Sequence, residues 1–325
     1  MIDSIELAAK QLAALLTYSE GEDASISEAR MEINSGITSD VKIWMHPERF
    51  HSYCQSAPPW RTLAVDASLK SILDCGAFVV VLIKVAYEVW QLGTRRVKEG
   101  IETHVEVIRS MEAARKKMAV LEFEVAGKAS DHLSVGDVAL LDRPLCLPPR
   151  PSPRLKQSLE NLASNLKAGG IDLLGVCKSS RLSVEGGAPL IGYLLHQAVK
   201  LGVKRSWVYY PLIESTAPSS QRIGCPCVAA LDSNEDFAFR IDLNSNVTDA
   251  KRATQLLASV SALGDRFAYG YPYPLRSVHE ASAISHTEVD ICRQRLLEAA
   301  TRRGIYHNLR YALKATSFRE EVLLS

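Results

Sequence analysis

Two aspartates stand in matching local settings. Asp66 closes the apolar run Thr62-Leu-Ala-Val-Asp66, and Asp142 closes Val138-Ala-Leu-Leu-Asp142. A carboxylate that ends a buried strand is costly in a core and well placed at the rim of a sheet. If the two strands are neighbours, both acids point into one crevice. Paired carboxylates are hard ligands suited to Mg²⁺ or Mn²⁺, and such ions drive phosphodiester hydrolysis by activating water and stabilising the leaving oxygen. Taken singly, each Asp reads better as a turn former or a helix cap, and it is the matched pair that raises the metal-site reading.

A third carboxylate should come from a helix laid over the sheet. Residues 105–127 read as that helix, with Val107, Met111, Ala114, Met118, Leu121 and Val125 on one stripe. At about 100° per residue, Glu122 lies roughly 60° from the centre of the stripe, Glu124 roughly 100° and Glu112 roughly 140°. Only Glu122 can lean toward the sheet; the alternative is a boundary residue that snorkels to water. Further on, Gly270-Tyr-Pro-Tyr-Pro-Leu275 precedes His279. Its two X-Pro pairs predict extended backbone that fixes Tyr271 and Tyr273. His279 could shuttle a proton or bind a metal, and Lys178, at the end of the run 171–176, could hold a phosphate or orient a water. By itself His279 reads as a surface or helix-cap residue.

These side chains need a scaffold, and the pattern supplies an α/β one. Strands are expected at 62–66, 78–89, 138–142, 171–176 and 206–210, with a hairpin at 227–231 and 237–243. Helices are expected at 105–127, 154–167, 188–200, 249–262 and 286–303. This order predicts an α/β fold with a mixed sheet flanked by helices, and an N-terminal helical extension. The domain division that follows is a helical accessory region over 1–58, led by an amphipathic helix at 2–19, and an α/β domain over 59–325.

Composition narrows the function classes. With 325 residues and a formal net charge of +1, the chain is too neutral to hold nucleic acid by bulk electrostatics, although basic residues cluster at 95–98, 115–117 and 293–303. Each cluster reads first as a solvated helix face. Seven scattered cysteines, with Cys225 and Cys227 as the one close pair, fit a reducing compartment better than a disulfide framework or a zinc knuckle. The acidic start and the short apolar run at 77–89 predict a soluble, cytoplasmic protein with no membrane segment. There is no GxxxxGK[ST] loop, no dinucleotide fingerprint and no GxSxG elbow.

Taken in order, these residues resemble the NurA family of nucleases, which implies an RNase H-like mixed sheet flanked by helices and a nuclease domain over 59–325. Leu63-Ala-Val-Asp66-Ala-Ser68 is similar to that family's first acidic strand motif, and Leu140-Leu-Asp142-Arg-Pro-Leu145 to its second. The segment 118–126 with Glu122 resembles the helical acid, and Gly175-Val-Cys-Lys178 the strand that ends in Lys. Tyr271-Pro-Tyr-Pro-Leu275 with His279 is the most specific match, and the resemblance spans about residues 60–285. Ala67 and Arg143 stand where the family pattern usually has glycine; Arg143 could contact DNA or partly obstruct the site.

The resemblance implies that Asp66, Glu122, Asp142 and His279 bind one or two divalent ions, Mn²⁺ or Mg²⁺. Lys178 and His279 would assist with charge and proton transfer, and Tyr271 would position the substrate. It implies 5′–3′ exonuclease or endonuclease action on single- or double-stranded DNA ends. The expected assembly is a homodimer beside a HerA-type hexameric ATPase, in DNA-end resection, repair or defence. Two other readings stay open: a catalytically degenerate docking platform for a DNA translocase, and a small-molecule phosphoesterase.

Overall fold

The computed structural model describes residues 30–33, 41–58, 61–92, 94–147, 151–180, 182–184, 187–204, 206–213, 224–233, 237–244, 247, 249–304 and 306. The helix expected at 2–19 lies outside the described residues. In chain order the strands are β1 (Arg30–Ile33), β2 (Val41–Trp44), β3 (Phe50–Tyr53), β4 (Arg61–Asp74), β5 (Val79–Gln91), β6 (Arg95–Ile108) and β7 (Val138–Leu141). They continue as β8 (Asp172–Cys177), β9 (Ser183–Val184), β10 (Ser206–Tyr209), β11 (Gly224–Ala230), β12 (Phe239–Asn244), β13 (Gly264–Asp265) and β14 (Tyr271–Pro272). The helices are α1 (Met111–Ala129), α2 (Pro153–Ala168), α3 (Leu190–Lys200), α4 (Ala250–Ser261), α5 (Tyr273–Ser282) and α6 (His286–Arg302).

Nine strands form one mixed sheet in the order β3-β10-β11-β12-β8-β7-β4-β5-β6. The pairs β4–β7 and β7–β8 are parallel, and the remaining pairs are antiparallel. The sheet alternates its side chains between two helical layers, as the period of two requires. Leu63, Val65, Ala139, Leu141 and Leu173 pack under α1 and α2. Ala64, Leu140, Leu174 and Val176 pack under α4 and α5. Burying each such Leu or Val contributes about 1.5–3 kcal/mol. That alternation decides where the acids go: Asp66, Asp142 and Lys178 continue the parity of Ala64, Leu140 and Val176, toward α5.

Several elements differ from expectation, each for a local reason. β4 does not stop at Asp66; it runs on to Asp74 because β5 pairs with it along its whole length. Asp66 therefore sits inside a strand, at the point where β7 ends beside it and the sheet opens. The helix expected from residue 105 begins at Met111. Residues 95–108 form a strand hydrogen-bonded along β5, and Ser110 ends it and caps α1, accepting from the Ala113 N–H at 3.2 Å. The segment 1–58, expected to be helical, carries three strands and a 3₁₀ turn in its described part. Of these, β3 lies at an edge of the main sheet against β10, while β1 and β2 join β9 in a small sheet. The proline pairs at 271–274 do not hold a fully extended run: α5 begins at Tyr273. Proline is tolerated in a first helical turn, where its missing N–H has no intrahelical partner to lose.

The loop that follows β7 is clamped from below. Gly175 lies directly under it, and a Cβ there would stand 2.3 Å from the Arg143 carbonyl oxygen. On β12, Asp242 accepts the Leu145 N–H at 2.9 Å and is forked by Arg240, with contacts of 2.8 and 2.9 Å. Both partners are largely buried. Truncating Arg240 to Met strands a buried carboxylate, so a loss of about 3–5 kcal/mol is expected, read as a lower urea midpoint at unchanged slope.

Candidate active site

The candidate centre lies where β7 ends and β4 runs on. The pairing of Val65 with Leu141 places Asp142 beside Asp66, and the Asp142 N–H reaches the Val65 carbonyl at 3.4 Å. From above, α5 delivers His279, whose Nδ1 lies 2.6 Å from Asp66 Oδ2 and 3.8 Å from Asp142 Oδ2. Ser282, one turn further along α5 and fully buried, sets its Oγ 3.2 Å from the same Asp66 oxygen. The other Asp66 oxygen accepts the Ala67 N–H at 2.8 Å. That bond needs only the backbone, so alanine in place of glycine leaves it intact.

Lys178, at the end of β8, pairs with Asp142 Oδ2 and lies over the Tyr271 ring, 5.3 Å from its centroid. Tyr271 is buried beside Asp142, and its hydroxyl lacks an aligned hydrogen-bond partner. Burial first, and then the nearby Asp142 charge, push its pKa far above the usual tyrosine range. Tyr273 is not part of this group: it is half-exposed on α5 and meets Trp90 edge to face.

Glu122 stands in the opposite layer, on α1, outside the group formed by Asp66, Asp142 and His279 but near enough to feel the charge of both aspartates. It is 2% exposed. Its Oε2 lies 3.2 Å from Arg143 Nη1, an ionic contact without good hydrogen-bond alignment. Oε1 is buried with no hydrogen-bond partner. Arg143 follows Asp142 and turns to the other face of the sheet, where its guanidinium lies 5.2 Å from the Phe123 ring centroid. Burial drives the Glu122 pKa up to about 8; Arg143 opposes the rise, and Asp66 and Asp142 add to it. Asp142 is raised too, chiefly by burial and against the pull of Lys178.

One ligand atom each from Asp66, Asp142 and His279 lies within 4.8 Å of the others. Two hard oxygens and an imidazole nitrogen at that spacing fit a divalent cation such as Mn²⁺. The unpartnered Glu122 Oε1 agrees with a positive charge nearby, because a lone buried carboxylate oxygen is otherwise costly. Of the residues expected from sequence, Asp66, Asp142, Lys178, Tyr271 and His279 meet directly, and Glu122 stands behind them. Ser282 was missed, and a serine three residues after a histidine carries no signal before the helix is known.

The same architecture recurs in solved structures. The NurA nuclease from Sulfolobus solfataricus superimposes with a TM-score of 0.58 at 14% identity, covering 94% of this chain and 97% of that one. The chain has the NurA fold. A second NurA structure gives a TM-score of 0.60 at 11% identity over 91% and 96% of the two chains. A NurA structure solved with manganese gives 0.53 at 11% identity over 92% and 98%. No protein-family model matches the chain, and no curated protein matches it in sequence. The NurA fold is thus carried here by a sequence far from those of these structures. Among the described residues, no helix is long and apolar enough to cross a membrane.

Proposed function

We propose that the chain is a divalent-metal-dependent deoxyribonuclease whose ion is held by Asp66, Asp142 and His279, with Glu122 adding a third carboxylate behind them. The observation that carries this reading is the convergence of those three ligand atoms within 4.8 Å, in a fold shared with nucleases. One such nuclease was solved with manganese. An ion in this position supplies an acidified water and offsets the charge of a phosphodiester.

The chain's own residues do the rest. Lys178 holds Asp142 in its rotamer and offers a cation to a phosphate oxygen at the same rim. Asp66 orients the His279 ring, and with an ion bound between them Nδ1 would turn from Asp66 to serve as its nitrogen ligand. Tyr271 walls the centre beside Asp142 and stays protonated, a hydroxyl donor for the substrate or its water. The near-neutral net charge fits DNA delivered by a motor, so the expected setting is a homodimer beside a HerA-type hexameric ATPase. The expected role there is DNA-end resection, repair or defence.

The test is cleavage of end-labelled linear DNA by the purified chain, with Mn²⁺ or chelator, alone and with a HerA-type ATPase. Cleavage that appears with Mn²⁺ and disappears with chelator is the expected result. The Arg143–Glu122 pair favours one competitor, a degenerate docking platform. Binding to the ATPase with no cleavage under any of these conditions would select it.

A further inference from the structure

Resting on the metal-nuclease reading above, we infer that Arg143 supplies the second fixed positive charge of the centre, so that the chain binds one divalent ion and not two. Two-ion centres need carboxylates that span ions about 3.5–4 Å apart. Here the carboxylates are divided between the two faces of the sheet. Asp66, Asp142 and His279 gather on the α5 side, and their ligand atoms alone make a cation site among the described residues. Glu122, from the α1 side, is engaged by a guanidinium at 3.2 Å.

That guanidinium is built in rather than passing. Its side chain is 20% exposed and packs on Phe123. The loop that carries it is seated on Gly175 and tied down by Asp242 through the Leu145 N–H. Just past the end of β7, Asp142 turns to Lys178 and His279 on one face and Arg143 to Glu122 and Phe123 on the other, so a single short loop supplies an ion ligand and a counter-charge together. A second ion at Glu122 would have to displace Arg143 or lie against it, and like charges in a partly buried site repel by several kcal/mol.

The charge balance agrees. With the ion bound and Glu122 ionised beside it, Asp66, Glu122 and Asp142 bring three negative charges; Lys178 and Arg143 return two. One divalent ion then leaves a single positive charge, which matches one phosphodiester. A second would leave an excess of three.

The experiment counts ions without using activity. Mn²⁺ is titrated into the full chain and free ion is followed by electron paramagnetic resonance, with isothermal calorimetry as a check. The wild type is expected to bind one Mn²⁺ per chain. Arg143→Met, which keeps an apolar stem against Phe123, is expected to bind two, and Arg143→Lys to stay at one. Adding Glu122→Gln to Arg143→Met should return the count to one. Two ions on the wild type, or one on a folded Arg143→Met chain, overturns the inference and leaves the nuclease reading standing. No ion on the wild type removes the metal site itself, and both readings fall. If Arg143→Met does not fold, Arg143→Ala takes its place, and the wild-type and Arg143→Lys counts still decide.

Discussion

Asp66→Asn is expected to lower Mn²⁺-dependent DNA cleavage by roughly 10³-fold or more, a loss of about 4 kcal/mol in transition-state stabilisation. The change is isosteric, so the Ala67 N–H keeps its acceptor and Ser282 keeps a polar neighbour. What disappears is the charge. Asp66 contributes to the centre twice, as an oxygen ligand facing Asp142 and as the anion that orients His279 from 2.6 Å. An amide donates where the carboxylate accepted, so the imidazole loses its anchor as well as the ion losing a ligand. Initial rates on end-labelled DNA at saturating Mn²⁺ measure the first effect. The thermal shift produced by Mn²⁺ measures the second: the wild type should rise in Tm on adding the ion and Asp66→Asn should not. A folded Asp66→Asn chain that cleaves within tenfold of wild type would remove Asp66 from the centre.

His279→Gln gives a milder comparison, because only one of three ligand atoms and no formal carboxylate charge is lost. A larger effect from His279→Gln than from Asp66→Asn would assign the ring the greater part of the chemistry. The proposed order, Asp66 before His279, follows from the hydrogen bonds: Asp66 holds His279, while Asp66 itself is also held by Ala67 and Ser282.

How far the sequence discloses this centre depends on what each residue relies on. Asp66 and Asp142 are visible because an acid after an apolar strand run is out of place in a core, and strand alternation is a local property. Lys178 belongs to the same kind of signal, a charge directly after a buried strand. The mixed sheet and the helices over 153–168, 190–200, 250–261 and 286–302 follow from periodicity, within two residues at either end of each.

The parts that were misread are those set by partners distant in sequence. Arg95–Ile108 alternates in strand fashion, yet Val107 also lies in step with the helical stripe that follows, and only pairing with β5 separates the two. Glu122 keeps its place at the edge of the stripe, and it is buried because Arg143 from the loop after β7 meets it there. Arg143 reads as an obstacle when it stands alone beside Asp142. Its direction comes from a loop held by Gly175 and Asp242, roughly thirty and a hundred residues away, and no local pattern encodes that.

Glu122 should also leave a signature in the stability of the metal-free chain. A carboxyl ordinarily titrating near 4.5 is pushed up to about 8 in the fold, with burial as the main cause. The sign follows from linkage: between these values the folded chain holds a proton that the unfolded chain has released, so stability falls as pH rises. The full contribution is present below about pH 4.5 and is lost as pH climbs through about 8. Over that window the slope approaches about 1.4 kcal/mol per pH unit for this one group. Asp142, also raised, adds in the same direction. Urea unfolding of the chelated protein at pH 6 and pH 8 isolates Glu122 if Glu122→Gln is measured beside it. The wild type should lose about 2–3 kcal/mol more than the variant between the two pH values. Saturating Mn²⁺ should flatten the wild-type curve, since an ion beside Glu122 favours the carboxylate that burial opposes. Parallel pH dependence in wild type and Glu122→Gln would mean that Arg143 already holds Glu122 ionised at neutral pH. The pair would then act as a fixed ion pair throughout.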